Sequence, residues 1–135
     1  MVRNMIDIDT IRKVVSNYFI DDNRIIAVYL HGSYSKQTVH PGSDIDLAIL
    51  LKHGEKIDSR ELLSMSADIE VELDRVIDLG IVSSKNLVYS KEVIYNGQCL
   101  LCNDKYKKEL YETTLLSMYT DFQYERREIL NAYRH

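Results

Sequence analysis

The chain has 135 residues, room for one compact domain over 1–135 and little more. Apolar residues make up 45% and charged residues 28%, which supports a packed core and excludes a disordered chain. The net charge of −4 disfavours RNA or DNA as a direct partner, because gripping phosphates takes clustered cations. The dense basic spots here (Lys105, Lys107, Lys108 and Arg126, Arg127) are diluted by neighbouring acids.

No apolar run nears the roughly 20 residues that span a bilayer, so no membrane partner is expected. Residues 1–9 carry Asp7 and Asp9 and lack the apolar stretch of a signal peptide. Two cysteines are too few for a disulfide framework. A cytoplasmic protein is the expectation.

Residues 9–19 place Ile11, Val14, Val15 and Tyr18 on one face of an amphipathic helix. Residues 24–31 (RIIAVYLH) are nearly all apolar, as in a strand buried on both faces. Gly32-Ser33 then turns the chain, and a polar loop with the only proline, Pro41, leads to a second strand over 44–51 (DIDLAILL). Asp58 with Glu61 three residues on marks a helix start, and Leu62, Met65, Ile69 and Leu73 share its face.

A third strand is expected over 75–82 and a helix over 84–96, capped by Ser84 and ended by Gly97. A short extended piece follows over 98–101. One long helix then runs from 105 to the end, with Tyr111, Leu115, Met118, Phe122, Ile129 and Tyr133 in a stripe that fits either the domain or another chain. Alternating helices and strands imply an α/β (α+β) domain, a small mixed sheet flanked by helices.

The informative stretch is 31–50, HGSYSKQTVHPGSDIDLAIL. Asp44 and Asp46 stand two apart at a strand start, so their side chains share a face while Ile45 points into the core. Two carboxylates there repel unless a cation lies between them, and magnesium takes oxygen ligands while leaving positions for substrate phosphates. Asp78, set in an otherwise apolar strand where an unpaired acid would be costly, is the candidate third carboxylate; Asp74 is the reserve. Two magnesium ions about 3.5–4 Å apart would then stabilise both oxygens of an in-line displacement. Gly32 permits a sharp turn and close backbone approach, and Ser33 with free backbone N–H groups suits phosphate oxygens.

Gly32-Ser33, ten residues, then Asp44-Ile45-Asp46 resembles the signature of the polymerase-β-like nucleotidyltransferases, and its context resembles their minimal nucleotidyltransferase subgroup. IDLGIVSS around Asp78 is similar to that family's third-carboxylate strand, and the likeness covers about 8–104. The resemblance implies a nucleotidyltransferase fold with Asp44, Asp46 and Asp78 as catalytic metal ligands and Asp78 as candidate base. It implies nucleotide binding by Gly32 and Ser33, with Lys36 and Ser43 beside them. Lys36 stands where many relatives have arginine and lacks the planar fork of that residue.

It further implies ATP as substrate and a HEPN-type ribonuclease toxin as partner, a tyrosine of which receives AMP, so that the chain acts as antitoxin. Two alternatives stay open: an antitoxin that neutralises by occlusion, and a transferase acting on a small molecule such as an aminoglycoside. The helix over 104–135 is the candidate partner interface, for a homo- or hetero-oligomer. Cys99 and Cys102 read as packing residues, and His31 and His40 as structural or peripheral.

Overall fold

The computed structural model describes residues 5–34 and 42–134; Lys36, His40 and Pro41 lie outside the described residues. Four helices and four strands follow the order α1 (Ile8–Phe19), β1 (Ile25–His31), β2 (Ile45–Leu51), α2 (Ser59–Leu73), β3 (Ile77–Val82), α3 (Leu87–Asn96), β4 (Gln98–Cys102) and α4 (Lys105–Tyr133). The sheet is mixed, with spatial order β3-β2-β1-β4. β1 runs antiparallel to both β2 and β4, and β2 runs parallel to β3.

Local chemistry sets the helix starts. Asp7, Asp58 and Asp104 each accept a backbone N–H from three residues ahead, at 2.8, 2.8 and 3.0 Å, supplying partners to donors that a helix leaves orphaned. Helix α3 departs from the expected cap. It begins at Leu87, not near Ser84, and its N-cap Asn86 makes no side-chain cap bond. The buried Ser90 hydroxyl instead accepts the Ser83 N–H and donates to the Ser83 carbonyl, both at 2.9 Å. That exchange holds 83–86 as a turn and delays the helix.

Alternation along the central strands sends side chains to two cores. Val28, Leu30, Leu47 and Ile49 pack with Ile11, Val15, Met65 and Ile69 of α1 and α2. Tyr29, Ala48, Leu50 and Val82 pack with Val93 of α3 and Leu115 of α4. A hydrogen-bonded triad pins α4: Tyr29 Oη donates to Glu112 Oε2 at 2.8 Å, and Lys108 Nζ donates to Glu112 Oε1 at 3.2 Å.

The long stripe of α4 divides in two. Tyr111 and Leu115 join the core, whereas Met118, Phe122, Ile129 and Tyr133 are exposed. The cysteines divide as well: Cys99 is half-buried, but Cys102 is exposed, so packing explains only the first. Among the described residues, no helix is long and apolar enough to cross a membrane.

Candidate active site

Strand register builds the site. His31 of β1 stands opposite Asp46 of β2, and Asp46 stands opposite Asp78 of β3. Residues directly paired across strands present their side chains to the same face, so His31, Asp46 and Asp78 form one transverse row. The next row on that face is Tyr29, Ala48 and Gly80, which places the first row at the end of the core beneath α3. Asp44, two residues before Asp46, adds an exposed carboxylate on the same side.

Gly32 closes the row. Its φ of +69° lies in the left-handed region, and a Cβ there would collide with Asp46 Oδ2 and sit 3.0 Å from its Cγ. The turn therefore lies directly against the carboxylate of Asp46. Ser33 follows in the same turn, half-buried, and Ser43 is buried just ahead of Asp44.

The electrostatics agree with this crowding. Burial pushes the Asp46 carboxyl above its usual pKa; His31 opposes that rise, and Asp78 and Asp44 reinforce it. Burial likewise draws the His31 imidazole down against the pull of Asp46 and Asp78. Asp46 thus feels both neighbouring acids, the situation a hard divalent cation relieves. Among the described residues, no group of three or more His, Cys, Asp or Glu side chains is placed so that it could hold a metal ion.

One reading of the sequence needs correction. Asp78 is exposed although its strand neighbours Ile77 and Leu79 are buried, so the cost of burying an acid does not explain its presence. His31, expected to be structural or peripheral, shares the row, and its Nε2 lies 3.1 Å from Tyr89 Oη, a structural contact. Asp74 is elsewhere, capping α2 in a left-handed conformation with φ of +51°.

Tyr89 was not singled out by sequence pattern. The signal was Gly80, a glycine inside a strand, which marks a close approach: a Cβ at 80 would collide with Tyr89 Oη. Burial, then Asp78 and Asp46, raise the pKa of this phenol.

Comparison with known proteins agrees with the geometry. The family model for polymerase beta nucleotidyltransferase matches residues 13–106. The chain is 32% identical to protein adenylyltransferase MntA of Shewanella oneidensis over 104 residues, covering 77% of this chain and 73% of the relative. A solved toxin–antitoxin structure with AMP-PNP contains a chain of similar fold, with TM-score 0.78, 27% identity, and coverage of 92% of this chain and 98% of that one. The complex of a tri-AMPylated S. oneidensis HEPN toxin with an MNT antitoxin contains another, with TM-score 0.69, 25% identity, and coverage of 94% and 95%.

Proposed function

The chain belongs to the polymerase beta nucleotidyltransferase family, and from that premise we propose that it transfers AMP from ATP to a tyrosine of a HEPN-type toxin and thereby acts as its antitoxin. The observation that carries this reading is the row of Asp46 and Asp78, in register on adjacent parallel strands, set against the turn at Gly32. The relative MntA is named a protein adenylyltransferase, and the tri-AMPylated HEPN toxin bound to an MNT antitoxin supports both the reaction and the acceptor.

In this reading the Gly32–Ser33 turn and Ser43 hold the triphosphate, and Lys36 adds charge beside it. The exposed Asp78 takes the proton of the acceptor phenol. The phenol oxygen bonds to the α-phosphorus as the bond to pyrophosphate breaks. The step asks for alignment and charge neutralisation more than for a covalent intermediate.

The donor set is all carboxylate oxygen, which fits magnesium. Asp44, Asp46 and Asp78 would hold it, and it would neutralise phosphate charge.

The test is incubation with α-labelled ATP and magnesium, with and without a purified HEPN-type toxin. Label on the toxin that disappears with Asp44→Asn and with Asp46→Asn supports the proposal. Unlabelled toxin that is nevertheless neutralised, in wild type and variants alike, overturns it in favour of occlusion. Label on an aminoglycoside but not on the toxin overturns it in favour of a small-molecule transferase.

A further inference from the structure

Beside the carboxylate row, a groove of about 890 Å³ lies between α3 and the middle of α4. Leu87 and Val88 line one side, Tyr119 and Phe122 the other, and Lys85, Lys91 and Glu92 supply its charged groups. Phe122 remains 41% exposed and Val88 60% exposed, so the trough presents apolar surface that the domain itself leaves uncovered. Lys91 lies 5.6 Å from the centre of the Tyr119 ring and 5.5 Å from that of Tyr95, which holds its charge over the groove.

The groove is continuous with the active site through one residue. Tyr89 lines it, and the hydroxyl of the same side chain reaches His31 of the row and lies over Gly80, two residues beyond Asp78. Tyr89 thus joins the trough to the row at His31.

We infer that this groove is the docking site for the acceptor protein, and that it takes a segment with apolar side chains flanked by acidic residues. The inference rests on the proposed transfer to protein. Three features select such an occupant. The trough is an open channel between two helices, which suits a polypeptide segment laid along it. Its aromatic wall supplies the rigid anchors that dominate protein recognition. Its two lysines outnumber its one acid, Glu92, and so favour acidic neighbours over basic ones.

The test measures transfer from α-labelled ATP to the purified acceptor protein, varying acceptor and ATP separately. Tyr119→Ala with Phe122→Ala is expected to raise the KM for acceptor roughly tenfold or more while leaving the KM for ATP unchanged. Lys85→Glu with Lys91→Glu, two changes among the groove's charged groups, is expected to act in the same direction and to weaken the salt dependence of acceptor binding.

Wild-type acceptor KM in both double variants overturns the inference. So does sedimentation showing that a second copy of this chain fills the groove. Should the wild-type protein transfer no label at all, the catalytic reading fails separately. The groove is then judged by direct binding of the acceptor protein without ATP: weaker binding by both double variants supports it, and unchanged binding overturns it.

Discussion

The carboxylate of Asp46 occupies the space that a side chain at position 32 would need. Gly32 is therefore required twice, by its positive φ and by its neighbour. For Gly32→Ala we expect strain of about 1–3 kcal/mol from the left-handed backbone, read as a lower denaturant midpoint. Displacing Asp46 by even 1 Å should cost transfer activity roughly 100-fold. A Gly32→Ala protein with wild-type turnover would show that the contact does not hold the carboxylate in place.

Much of this site was legible because its determinants are local. Two acids at a strand start share a face whatever surrounds them, so Asp44 and Asp46 can be paired from spacing alone. The place of Asp78 in β3 was legible, but its exposure was not: that depends on what packs over each face of the strand, where Ile77 and Leu79 are covered and Asp78 is not. His31 and Tyr89 meet across 58 residues of sequence, a contact with no periodic signature. The α3 start was missed because the Ser83–Ser90 exchange competes with helix capping.

Magnesium should bind the folded chain and stabilise it. Asp46 has a folded pKa raised above its usual value, so its ionised form disfavours the metal-free fold, and that penalty grows as pH rises through the folded pKa. A cation at the site offsets it. Magnesium at roughly a hundred times its Kd should add about 2–3 kcal/mol to wild-type stability, a rise of several degrees in Tm. Asp46→Asn should lose this response while equalling or exceeding wild type in metal-free Tm near neutral pH. An equal magnesium response in Asp46→Asn would remove this residue from the metal site.

Acid should loosen the junction of β1 and α2. Arg24 forms two bidentate pairs, with Asp22 at 2.9 and 2.7 Å and with Glu61 at 3.0 and 2.7 Å. These contacts, led by the side-chain hydrogen bonds from Arg24, hold both carboxyls below their usual values. A depressed folded pKa contributes stability that is present above the unfolded value of about 4 and is lost as pH falls through the folded value. Denaturant midpoints measured downward from pH 5 should therefore decline, and Arg24→Ala should flatten that decline. Arg24→Lys should restore little of it, since an ammonium cannot span two carboxylates in a fork. Parallel pH profiles for wild type and Arg24→Ala would contradict the assignment.

The two halves of α4 should respond differently to truncation of an apolar side chain. Leu115 is 8% exposed and packs with Val93 and Tyr29 beneath the helix, so Leu115→Ala should cost about 2–3 kcal/mol, toward the lower end for a buried leucine. Ile129 is 57% exposed and lies close to the C-terminal end of the helix, well past Leu115. Ile129→Ala should shift the stability of the isolated chain by no more than about 0.5 kcal/mol. The comparison distinguishes two accounts of the stripe. If its distal residues served the domain's own core, both substitutions would lower the denaturant midpoint alike; if they serve a partner, only Leu115→Ala does, and Ile129→Ala becomes visible when the partner is added.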